Sequence, residues 1–157
     1  MNDSIGGIYA LALVFFGIVI ISGFMAFTTN YNKAFKMKNR IVYILEKYDN
    51  NPTSSDALEE IRDYAKSIGY SASSQFTSSC NGTSYTLDGN NTGWCYQVIY
   101  NSKKDEATNG SIDEYESKYV NVRTFVSIDI PILNTLFPHI KYFSVDGSTK
   151  QIVKLNR

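Results

Sequence analysis

The sequence predicts an α+β protein with a long N-terminal transmembrane-plus-amphipathic helix, one short helix, and a small antiparallel sheet of about four strands. Three observations predict it. Residues 5–27, IGGIYALALVFFGIVIISGFMAF, carry no charged side chain. At 1.5 Å per residue that run is about 34 Å long, enough to cross the roughly 30 Å hydrocarbon core of a bilayer. Apolar residues then recur at helical spacing as far as Tyr48, and farther along the pattern changes to the two-residue alternation of strands.

The first run reads as a retained membrane helix. A soluble core helix of this length would carry a polar stripe, and none is visible. A secretory signal would have a basic start, a shorter apolar run and a small-residue cleavage site. Met1-Asn2-Asp3-Ser4 has no Lys or Arg, and no A-x-A pattern follows Phe27. The expected organisation is residues 1–30 as the transmembrane helix, 31–50 as its amphipathic extension, and 51–157 as an exported α+β head.

The extension follows without a Gly or Pro break. Tyr31, Ala34, Phe35, Lys38, Ile41, Val42, Leu45 and Tyr48 recur at i, i+3, i+4 spacing and are expected to lie along the head. Two helices meeting near Thr28-Thr29-Asn30 are the alternative. Asp49-Asn50-Asn51-Pro52 ends the helix, because proline disfavours helix at the residue before it. A second helix starts near residues 54–56, where Ser or Asp can accept from free backbone N–H groups. Its apolar stripe is Leu58, Ile61, Ala65 and Ile68, and Gly69 is its natural stop.

Residues 71–92 are rich in Ser, Thr, Asn and Gly and read as an irregular or edge segment. Residues 94–100 form a strand with Trp94, Tyr96, Val98 and Tyr100 on one face. Residues 102–116 read as a charged loop. Residues 119–130 form the clearest strand, with Val120, Val122, Val126, Ile128 and Ile130 on one face and Asn121, Arg123, Ser127 and Asp129 on the other. That alternation describes a sheet with one covered face and one wet face. After Pro131 comes a short apolar turn. Residues 141–145 and 150–155 then read as a hairpin around Asp146-Gly147-Ser148-Thr149, with Phe143 opposite Ile152.

Fifteen basic and fifteen acidic side chains cancel, so no electrostatic argument favours nucleic acid. No phosphate loop, dinucleotide fingerprint, G-x-S-x-G or H-E-x-x-H occurs. His139 is the lone histidine, and two cysteines with it do not make a four-ligand zinc set. The carboxylates Asp105, Glu106, Asp113, Glu114 and Glu116 lack the order of an EF-hand loop and read as solvated surface. No enzyme, cofactor or small-molecule substrate is expected. Cys80 and Cys95, in polar surroundings and otherwise alone, suit a disulfide in an oxidising compartment.

Lys33, Lys36, Lys38 and Arg40 follow the apolar run and read as anchors at lipid headgroups. By the positive-inside bias they favour a cytoplasmic head. The cysteine pair, the polar composition and three N-x-S/T triplets at Asn81, Asn90 and Asn109 favour the outside, which is the expected placement. Gly6, Gly7, Gly17 and Gly23 are small sites where another membrane helix can approach.

The layout of an apolar helix, an amphipathic continuation and a disulfide-clipped antiparallel sheet resembles a pilin or pseudopilin. The run Val120-Asn-Val-Arg-Thr-Phe-Val-Ser-Ile-Asp-Ile-Pro-Ile-Leu, followed by Ile140-Lys-Tyr-Phe-Ser-Val-Asp-Gly, is similar to the ending of TadE-like proteins of tight-adherence pili. The resemblance implies a subunit of a pilus or secretion apparatus, with membrane lipid and other subunits as partners. Ile132, Leu133, Leu136 and Phe137 are the implied contact residues on the head if their turn is exposed, and core residues if it is not. The leader is not basic, and no Glu or Asp lies within residues 5–27. Those departures point to an anchored accessory component rather than a polymerising pilin. A membrane-anchored ligand-binding or adhesin head, reading its ligand through the strand at 94–100 and the cysteine loop, is the competing expectation.

Overall fold

Helix α1 (Asn2–Lys47) is a single unbroken helix of 46 residues, about 69 Å long. The structure is a computed structural model that describes residues 2–70, 80, 85–87, 93–101, 117–127 and 142–153. No break occurs at Thr28 or Thr29. Their hydroxyls donate back to the carbonyls of Phe24 at 2.8 Å and Met25 at 2.9 Å, so two polar residues pass without competing for the chain. The division at residue 30 is therefore one of composition, with no joint in the backbone.

Asp49 and Asn50 end α1 with φ of 54° and 52°, and the Asn50 N–H donates to the Leu45 carbonyl at 2.8 Å. Helix α2 (Ser55–Ser67) follows. Contrary to expectation, the Ser54 side chain makes no capping bond; its carbonyl accepts from Leu58 N–H at 3.0 Å. The turn before it is held by Asn51 Oδ1, which accepts from the N–H and hydroxyl of Thr53. The far end closes as the glycine predicts. Gly69 has φ +62°, its N–H donates to Lys66, and Tyr70 N–H donates to Ala65.

The sheet is antiparallel, in the order β1-β2-β3-β4, from β1 (Thr86–Leu87), β2 (Trp94–Asn101), β3 (Ser117–Ser127) and β4 (Tyr142–Ser148). A short β5 (Ile152–Val153) pairs with β3, not with β4. The expected hairpin is thus corrected. Asp146, Gly147 and Ser148 stay in the ladder opposite Arg123, Val122 and Asn121. Phe143 faces Val126, and Ile152 faces Lys118. In place of a turn there is a break between two strands on one edge of β3. Thr149 bridges that break, its N–H donating to Val120 O and its hydroxyl accepting from Val120 N–H, both at 2.9 Å. Asp-Gly serves other ends here: Asp146 pairs with Arg123, and Gly147 leaves room for Lys38, whose Cδ would lie 2.6 Å from a Cβ there.

The core lies between the helices and one face of the sheet. Met37, Ile41, Ile44 and Leu45 of α1 pack with Ala57, Ile61 and Ala65 of α2 and with Trp94, Val120 and Val122. Ala34 continues the layer with Val126 and Val145. The phase of α1 differs from the expected stripe: Tyr31 and Phe35 point outward, and Met37 and Ile44 take buried places. The opposite face of the sheet is not simply wet. Phe125 and Cys95 pack there with Cys80, partly covered by Tyr85 and Leu87.

Candidate membrane and assembly interface

Among the described residues nothing packs against the first half of α1. Leu13, Val14, Phe15 and Phe16 are successive, point in four directions around the axis, and are all exposed. Among the described residues α1 is the one helix long and apolar enough to cross a membrane, and none of its most apolar window is buried. Removing the large side chains from Ile8 to Met25 from water is worth on the order of 20 kcal/mol. That exceeds the whole net stability of an ordinary domain, about 5–15 kcal/mol, so the surface suits an apolar surrounding such as the core of a bilayer. A Cβ built on Gly6, Gly7, Gly17 or Gly23 would meet nothing within 4 Å, which leaves these positions open to a neighbouring helix.

At the head-proximal end of the apolar run the helix carries an aromatic row. Phe27 and Tyr31 have centroids 6.2 Å apart, and Tyr31 and Phe35 stack at 6.5 Å. The four-residue spacing puts all three on one face. Phe143 of β4 joins them from the sheet, edge-on to Phe27 at 5.8 Å. The sequence carries a signal for this row in Phe27, Tyr31 and Phe35 at i, i+4, but that signal reads equally as a core stripe. The fourth member comes from a strand that pairs with β3 rather than in the expected hairpin.

The four basic residues part company. Lys36 is exposed and Lys33 is half-buried, with its Nζ near Gly69. Lys38 lays its stem across Gly147 and holds its ammonium 4.4 Å from the centroid of Phe35. Arg40 belongs to the head: it donates to Glu60 Oε1 at 2.9 Å and lies over the rings of Tyr43 and Tyr64. Lys47 takes the other oxygen of Glu60 at 2.8 Å, so one carboxylate of α2 ties two points of α1 about 10 Å apart. The hydrogen bond from Lys47, then its charge and that of Arg40, hold the Glu60 carboxyl below its usual range; the same bond raises the Lys47 ammonium.

Cys80 and Cys95 form a disulfide with Cα atoms 6.2 Å apart, and both are fully buried. It holds Cys80 against Phe125 on the sheet face away from α1. Beside it Arg123 pairs with Asp146 at 2.7 Å and lies over Tyr85 at 4.4 Å, and its guanidinium is pushed still higher by the Asp146 bond. In the aromatic row of β2, Trp94 is buried and Tyr96 and Val98 pack against the helical layer, which leaves Tyr100 as the exposed member.

Ile132, Leu133, Leu136 and Phe137 lie outside the described residues, as do His139, the acidic loop and the three N-x-S/T asparagines. The strand ends that flank the four apolar residues, Ser127 and Tyr142, are paired across the ladder next to Val126 and Phe143. Among the described residues no group of His, Cys, Asp and Glu has the geometry to hold a metal ion. No family model, curated protein or solved structure matches the chain.

Proposed function

We propose that this protein is a non-enzymatic, single-pass membrane-anchored accessory subunit, pseudopilin-like, of a pilus or secretion apparatus. The observation that carries the reading is the continuity of α1. Among the described residues its first half has no cover, its second half is the inner wall of the head, and the helix runs unbroken between them. Whatever the membrane half contacts is thereby coupled rigidly to the orientation of the head. The open glycine positions support association with partner helices. The disulfide supports a head on the oxidising, outer side of the cell membrane.

A photo-reactive residue placed at Gly17 in the full-length protein tests the assembly claim in cells. Cross-links to other single-pass subunits of one filament or secretion machine are expected. They should vanish when residues 6–27 are replaced by an unrelated apolar helix that still reaches the membrane. A protein that captures no membrane subunit, or that captures them equally well after the exchange, contradicts the helix-mediated mechanism.

A further inference from the structure

The aromatic row and the lysines beside it are left over once the anchor and the head core are accounted for. Tyr31, Phe35 and Phe143 are each about two-fifths exposed, at 42%, 43% and 45%. They are arranged along the axis just past the last residue of the apolar run. Phe27 marks its end, Tyr31 lies about 6 Å farther along and Phe35 about 12 Å. The headgroup layer on one side of a bilayer is roughly 5–8 Å deep, so Phe27, Tyr31 and the Phe143 ring packed on Phe27 fall within it. Aromatic rings favour that depth, where an apolar body and wet surroundings meet.

Charge fits the same partner. From Ser4 to Leu45 the chain has no carboxylate, while Lys33, Lys36, Lys38 and Arg40 are all basic. Arg40 is taken by Glu60, and the nearby Asp146 by Arg123. Lys33, Lys36 and Lys38 have no acidic partner among the described residues, and Lys38 directs its ammonium back over Phe35 toward the membrane end. Each such lysine near an anionic surface strengthens the attraction about fivefold.

Resting on the reading of α1 as a membrane anchor, we propose that the head is seated on the bilayer, with Phe143 of β4, beside Phe27 and Tyr31, inserted among anionic phospholipid headgroups. The sheet is then a second membrane contact, and the head does not stand clear of the surface on a stalk.

The test uses full-length protein in vesicles of phosphatidylcholine and phosphatidylglycerol whose acyl chains are brominated near the headgroup for the seat reporters and near the chain end for the anchor reporter. The sole tryptophan, Trp94, is fully buried in the core and gives the baseline. Phe16→Trp reports the anchor, and Phe143→Trp and Tyr31→Trp report the seat. Quenching of both seat reporters at least about twofold above baseline is expected, and stronger with phosphatidylglycerol present. The dependence on phosphatidylglycerol should fall in Lys36→Gln/Lys38→Gln. If Phe16→Trp is quenched but Phe143→Trp stays at baseline, the head is not seated although the anchor stands. Quenching of Tyr31→Trp without Phe143→Trp likewise overturns the seat. If Phe16→Trp is not quenched, the anchor reading and the seat fail together.

Discussion

Asn50 does two jobs that are usually given to different residues. Its left-handed backbone turns the chain out of α1, and its side-chain amide, 1% exposed, donates to Lys150 O at 2.8 Å and Lys118 O at 3.4 Å. Glu46 completes the joint by accepting from Lys150 N–H at 2.8 Å. Asn50→Ala is expected to destabilise the head by about 1–3 kcal/mol, since it removes the bonds from the buried amide to two carbonyls and strains the turn. Asn50→Gly keeps the backbone and should cost less; equal losses in a denaturant titration would remove the backbone part of this account. Tyr70 acts likewise at the other end of the helical layer. Its hydroxyl lies where the β2–β3 ladder opens, accepting from Phe125 N–H at 3.0 Å and facing the carbonyls of Gly93 and Phe125. Tyr70→Phe is expected to cost about 1–3 kcal/mol in the same assay, because a buried N–H loses its partner. Neither role is written in the sequence. Both depend on contacts that bring distant parts of the chain together.

At the scale of elements, the α1–α2 clamp sets a pH dependence. The Glu60 carboxyl is depressed in the folded head, so its contribution is complete above the unfolded value of about 4.3 and is lost as pH falls through the lower folded value. Lys47 is raised, so its share persists below about 10.4 and disappears only as pH climbs past the folded value. Melting temperature should therefore fall from about pH 5 downward, and Glu60→Gln should flatten that slope. An unchanged slope in the variant would leave the clamp without a role. The disulfide is expected to contribute about 3 kcal/mol, measured as the difference between the native head and Cys80→Ser/Cys95→Ser. Elements whose neighbours lie close in sequence are legible there: the unbroken helix, the Gly69 stop, the alternation of β3 and the cysteine pair. The phase of α1 is not, because Tyr31 and Phe35 fit a core stripe as well as Met37 and Ile44 do, and only the sheet selects between them. The Asp146-Gly147 signal misleads for a related reason. Its two residues answer to Arg123 and Lys38, partners that local pattern does not reveal.

At the scale of the whole molecule, one rod carries two surfaces of different kind. The apolar half of α1 has no cover among the described residues, while the other half is locked to the sheet through Thr124, whose hydroxyl lies 3.2 Å from the Ala34 carbonyl, and to α2 through Glu60. A head fixed in this way follows any rotation or shift of the apolar half of the helix, as the proposed assembly role requires. The most direct measurement is labelling of spheroplasts with a membrane-impermeant maleimide, using a cysteine introduced at the exposed Asp63 of α2. The native cysteines are joined and buried and do not react. Asp63→Cys is predicted to label on intact spheroplasts, in protein that stays with the membrane through alkaline carbonate. Labelling only after lysis, or recovery of the protein in the soluble fraction, would contradict an anchored head facing outward.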